Sequence, residues 1–119
     1  MEKNLENNHI RHVLICISSS KLSRKTILSA ADLAMRNHAC LSAIYVKKNS
    51  YFNQLSLKEK QELEWNLSQA EKEGAQVFCI YGKDVVTEIV HFVKKNQVDC
   101  VVLGNSLKKR HSFVERESI

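Results

Sequence analysis

Four short apolar runs, each separated from the next by a segment of helical periodicity, restrict this chain more than any other feature. Val13-Leu14-Ile15-Cys16-Ile17 is the first. It does not alternate with polar residues, so it suits a central strand covered on both faces. From about Leu22 to Asn37, Ile27, Ala31, Ala34 and Met35 recur at helical spacing, while Arg24, Lys25, Asp32 and Arg36 are left for solvent. Leu41 to Val46 reads as a second strand, followed by a linker from Lys47 to Leu55. Ser56-Leu57-Lys58-Glu59 has the form of a capping box. The helix it opens carries Leu63, Leu67 and Ala70 on one face and should stop at Gly74, which enters a left-handed cap without penalty. Val77 to Ile80 forms a third strand. Gly82-Lys83-Asp84 is the next turn, with Asp84 as cap of a helix whose buried stripe is Val86, Ile89, Val90 and Val93. Lys94-Lys95 suit the carboxyl end of that helix, and Val98 to Leu103 is the fourth strand. Strands alternating with helices predict an α/β fold with parallel strands and right-handed crossovers.

A length of 119 residues makes one domain with a single core. No apolar run approaches a membrane span, and the polar amino terminus, Met1 to Asn8, lacks the apolar stretch of a secretory signal. The expected location is therefore the cytoplasm, without membrane insertion. Cys16, Cys40, Cys79 and Cys100 lie within or beside the apolar runs and show no CxxC spacing. They read as buried free thiols, not as metal ligands. The formal charge is +5, with basic residues at Lys108-Lys109-Arg110, Lys47-Lys48 and Arg24-Lys25. Clusters that follow or flank strand ends favour an anionic ligand. No recognition motif for duplex nucleic acid accompanies the charge.

Ser18-Ser19-Ser20 ends the first apolar run, and Leu41-Ser42-Ala43-Ile44-Tyr45 follows after a gap of twenty residues. That gap fits one helix with its turns, so both segments belong to neighbouring parallel strands. Hydroxyl and amide groups between a strand and a helix can converge on a phosphate at the positive helix end. A plain helix cap would need only one of the three serines. Tyr45 offers a ring face to a base and a hydroxyl to a phosphate or ribose, or else it is an interior tyrosine. Period-two geometry puts Leu41, Ala43 and Tyr45 on one strand face, Ser42 and Ile44 on the other. Ala43 would leave room for a base. Gly104, Asn105 and Ser106 follow the fourth strand, and Lys109 and Arg110 can neutralise phosphate charge; these are second-rank candidates together with Ser19.

Other chemistry finds little footing. His9, His12, His38, His91 and His111 show no ligand spacing, and no G-x-S-x-G elbow is present. Glu59, Glu62 and Glu64 read as a solvated helix face, and Trp65 as packing or interface. No catalytic residue and no metal site are expected.

With these residues in view, the chain resembles the universal stress protein family, and within it the domain carried by KdpD, a potassium-responsive sensor histidine kinase. The likeness lies in Val13 to Ser20, Ala43-Ile44-Tyr45-Val46, Glu73-Gly74-Ala75 and Val102-Leu103-Gly104, and covers roughly 11–110. It implies a doubly wound parallel sheet of strand order 3-2-1-4, cut short of the family's usual fifth strand. Residues 1–10 are then a polar leader and 111–119 a polar tail. One subset of these domains binds cyclic di-AMP through S-x-S, twenty residues, then F-T-A-x-Y. Ser18, Ser20, Ser42, Ala43 and Tyr45 fit, while Leu41 replaces the phenylalanine and Ser42 the threonine. ATP-binding members place an aspartate where this chain has Ser18, and a G-x-x-G segment, nine residues, then glycine after the fourth strand. Gly104 is present, but Leu107 and Glu117 occupy the other glycine positions. The resemblance thus implies a non-enzymatic signalling domain for cyclic di-AMP, linked to potassium or osmotic control. ATP or AMP binding, or ligand-free docking to a sensor kinase or transport regulator, are the alternatives. A homodimer is allowed by the family's habit of pairing subunits. A complete chain would be a free-standing ligand domain; a piece would come from a larger sensor.

Overall fold

A computed structural model describes residues 9–21, 23–48 and 54–103. The elements are β1 (His12–Cys16), α1 (Ser23–Asn37), β2 (Cys40–Lys47), α2 (Leu57–Lys72), β3 (Gln76–Tyr81), α3 (Val85–Lys95) and β4 (Cys100–Val102). The four strands are parallel and ordered β3-β2-β1-β4, the doubly wound arrangement expected. In register, Leu14 of β1 stands opposite Ser42 of β2 and Val101 of β4.

Handedness decides where the helices lie. The chain steps one way from β1 through β2 to β3, so right-handed crossovers put α1 and α2 on one face. The return from β3 to β4 puts α3 on the other. The first core accordingly joins Val13, Ile15 and Ile17 with Ile27, Ala30, Ala43, Tyr45, Leu63 and Ala70, with Ile10 packed against it. The second joins Leu14, Ile44, Val46, Phe92, Val98 and Val101. Phe78 and Phe92 meet edge to face at 4.9 Å.

Helix ends follow the local chemistry. Ser56 Oγ accepts from Glu59 N, and the Glu59 carboxylate accepts from Ser56 N, completing the capping box. Gly74 takes φ +100, with Gly74 N donating to Glu71 O and Ala75 N to Ala70 O. This is a Schellman closure. His38 and Gln97, both at φ 55, turn the chain after α1 and α3. Asp84 caps α3 through Thr87, whose hydroxyl and amide hold the carboxyl below its ordinary value.

Several expectations need correction. Buried positions on α1 include Thr26 and Ala30, whereas Met35 is exposed. On α3, Val86 and Val90 are exposed and Phe92 is the buried anchor, because α3 meets the sheet through only part of its apolar stripe. β4 starts two residues later than the apolar run, because Val98 N donates to Val93 O and closes α3 instead of joining the ladder. The cysteines do not share one environment. Cys100 is buried and Cys16 half-buried, but Cys40 and Cys79 are exposed. Burial pushes the Cys16 thiol up to about 12. A thiol reagent at neutral pH should therefore modify Cys40 and Cys79 in the folded protein and reach Cys16 and Cys100 only after unfolding. Equal labelling of all four sites before unfolding would contradict this packing. Among the described residues, no helix is long and apolar enough to cross a membrane.

Candidate functional site

In a sheet ordered 3-2-1-4 the crossover direction reverses between β1 and β4, and the crevice beyond their carboxyl ends is where open α/β sheets take ligands. Ser18-Ser19-Ser20 stands there, between β1 and α1. The three serines are not equivalent. Ser18 Oγ accepts from Ser20 N at 3.1 Å and lies 3.3 Å from Ser23 Oγ, so it builds the turn. Ser23 Oγ also accepts from Ser18 N and donates to Ser18 O, both at 3.4 Å. Ser23 N donates to Ser20 O at 3.1 Å. Ser19 is half-buried and Ser20 exposed.

A residue that the apolar stripe concealed holds this turn from below. Asn66 of α2 is fully buried, and its Nδ2 donates to Ser18 O at 2.8 Å and to Ser20 O at 3.0 Å. The signal was present: Asn66 lies three residues after Leu63 and four before Ala70, a polar side chain on the stripe that faces the core. Near it, Arg24 of α1 pairs with Glu62 at 3.2 Å and sets its guanidinium 4.2 Å from the centre of the Trp65 ring.

The second half of the motif is spread along β2. Cys16 pairs with Ile44, and Ile17 N donates to Ile44 O, so Tyr45 stands beside Ile17 just below the serine turn. Its ring belongs to the first core and is only 6% exposed. Ala43, opposite Ile15, has no exposure at all and leaves no room for a base. Ser42 is opposite Leu14, four residues before Ser18, which is about 13 Å along the strand. It also faces the other side of the sheet.

There Ser42 Oγ lies 2.8 Å from His12 Nε2, while His12 Nδ1 lies 3.0 Å from Asn96 O. The carbonyl can only accept, so Nδ1 carries the proton and Nε2 accepts from the serine hydroxyl. A serine and an oriented imidazole form a nucleophile–base geometry, but Ser42 is 5% exposed, and the pair serves as a buried polar clip. Asp99 completes that end of the sheet by accepting from Arg11 N and His12 N. Ser42→Ala is expected to cost about 1–2 kcal/mol by stranding His12. Urea denaturation of the variant checks this. Leu41, opposite Val13, lies further still from the turn.

Charge gathers at the same rim. The first turn of α1 carries Arg24 and Lys25 and no acidic residue. Two cations at the positive end of a helix oppose its dipole. Lys47, at the end of β2, lies 5.2 Å from the Tyr81 ring centre, and Lys48 adds its charge near Asp84. A separate groove of about 310 Å³, lined by residues including Phe78, Ile80, His91 and Phe92, opens on the α3 face, away from the serines. Gly104, Asn105, Ser106, Lys109 and Arg110 lie outside the described residues; β4 pairs Val102 with Ile15, so the chain runs toward them beside β1.

The sequence model of the Universal stress protein family matches residues 9–114. The chain belongs to the universal stress protein family. Sensor protein KdpD of Clostridium acetobutylicum is 26% identical over 97 residues, 82% of this chain and 10% of that protein. This universal stress protein domain thus spans a tenth of that relative's length. A universal stress family protein from Burkholderia pseudomallei superposes with a TM-score of 0.63 at 17% identity, covering 86% of this chain and 87% of that one. A universal stress protein solved in complex with cAMP gives a TM-score of 0.61 at 18% identity, covering 82% of this chain and 74% of the other. At such identities the likeness is one of fold.

Proposed function

We propose that this domain is a cytoplasmic, non-enzymatic signalling module that binds cyclic di-AMP at the serine turn and passes its occupancy to potassium or osmotic control. The observation that carries the reading is the turn itself. Three serines sit at the switch point, at the start of a helix whose first turn is cationic and lacks acidic residues. Glu62 of α2 answers Arg24, and Lys25 together with the positive helix end still favours a phosphate. Ser19 and Ser20 meet the phosphate, Ser18 shapes the turn, and Tyr45 borders the site from β2. Ser42 and Ala43 act only by supporting β2. Ser18, Ser20 and Tyr45, the motif positions that stand at or beside the turn, favour the cyclic dinucleotide, and the KdpD likeness supports a sensor kinase as the receiving partner.

A second reading is a mononucleotide-binding stress protein, favoured by the structural neighbour that holds cAMP. Calorimetry on the full chain with cyclic di-AMP, cAMP, AMP and ATP separates the two. Saturable binding of cyclic di-AMP, retained in Ser42→Ala and weakened in Tyr45→Phe, supports the first reading. Binding of mononucleotides alone replaces it with the second. No heat with any of the four, at concentrations well above micromolar, overturns both.

A further inference from the structure

We propose that Asn66 is a positioning residue, kept on α2 to hold the serine turn in its binding form and not to stabilise the core. The proposal rests on the reading of that turn as the nucleotide site. Both protons of the Asn66 amide are spent on it, one on Ser18 O and one on Ser20 O. The two carbonyls belong to residues two apart, so drawing both to one nitrogen bends the segment around Asn66. Its outer side, where Ser20 is exposed, is left toward solvent.

Stability alone would not select this residue. Asn66 Oδ1 is buried and has no hydrogen-bond partner among the described residues. An orphaned buried acceptor is destabilising, and the neighbouring stripe positions are filled by Leu63 and Ala70. Neither carbonyl depends on the amide for satisfaction. Ser18 O also accepts from Ser23 Oγ, and Ser20 O from Ser23 N. An apolar side chain of similar size would remove the orphan and strand nothing. What it would lose is the shape of the turn.

The clamp also reaches a natural reporter. Trp65, the chain's single tryptophan, precedes Asn66 and carries the Arg24 guanidinium on its ring, and Arg24 follows Ser23. Turn, α1 start and α2 therefore form a closed loop of contacts, and a shift of the turn changes the surroundings of the indole.

Asn66→Leu in the full chain tests the role. Without ligand, amide hydrogen exchange at Ser20 and Ser23 should accelerate at least tenfold while β1 and β2 exchange as before. The urea midpoint should stay level or rise. Cyclic di-AMP affinity should fall at least tenfold, and the ligand-induced change in Trp65 emission should shrink. Unaltered exchange at Ser20 and Ser23 would overturn the proposal, as would a fall in midpoint with faster exchange throughout, the mark of a mere packing residue. Asn66→Ala removes both donors without adding bulk or charge, so it serves if the leucine variant does not fold: a turn loosened at Ser20 and Ser23 supports the role and a protected one refutes it. Wild-type protein that binds no nucleotide would remove the reading of the site. The exchange comparison, made without ligand, would still decide what Asn66 does.

Discussion

Ser20→Asp is expected to lower cyclic di-AMP affinity by about a hundredfold or more while leaving the fold as stable as before, or slightly more so. The two effects have opposite signs for one reason. Ser20 is exposed just before α1, whose first turn bears Arg24, paired with Glu62 of α2, and Lys25, and has no acidic residue of its own. A carboxylate there complements the helix dipole, worth about 0.3–1 kcal/mol. It also occupies the place proposed for a phosphate. Juxtaposing like charges in a binding interface costs several kcal/mol, and about 1.4 kcal/mol is tenfold in affinity. Calorimetry read beside a thermal melt checks both halves. Undiminished binding in a folded variant would move the anion away from the serine turn.

Leu14→Ala should be the most damaging single truncation, costing about 3–5 kcal/mol. Leu14 has no exposure and sits on β1, with β2 on one side and β4 on the other. It packs with Ile44, Phe92, Val98 and Val101 under α3. Ladders on both edges hold β1 in place, so the space cannot collapse around the missing methyl groups. Against a domain stability of about 5–15 kcal/mol this is a large share. The urea midpoint should fall with the slope unchanged. A loss under about 1 kcal/mol would mean that α3 does not close this layer.

The architecture could be read from the residues because each cue was local. Ser56 with Glu59, Asp84 and Gly74 set their helix ends by local chemistry, and the unbroken run Val13 to Ile17 suited a central strand, which β1 supplies over His12–Cys16. Cues that depended on neighbours failed. Val86 and Val90 have the spacing of a buried stripe, yet α3 presents them to solvent, and Cys40 and Cys79 are exposed although they belong to strands. An apolar pattern states which face seeks cover; it does not state how wide the cover is.

For the site, the chain alone established that serines at the end of one strand face a tyrosine-bearing neighbour across one helix. Period two even separated Ser42 from Tyr45. What it could not supply was the level of each residue, because a gap of twenty counts residues through α1 without setting where β2 slides along β1. The register that pairs Leu14 with Ser42 does so, and leaves only Tyr45 near the turn. The partners of Asn66 were equally out of reach, although its place on the core-facing stripe was not. Its role exists only because the crossovers lay α2 beneath β1's carboxyl end, and that bond spans forty-eight residues of chain. Local chemistry named the serines, and long-range packing decided what holds them.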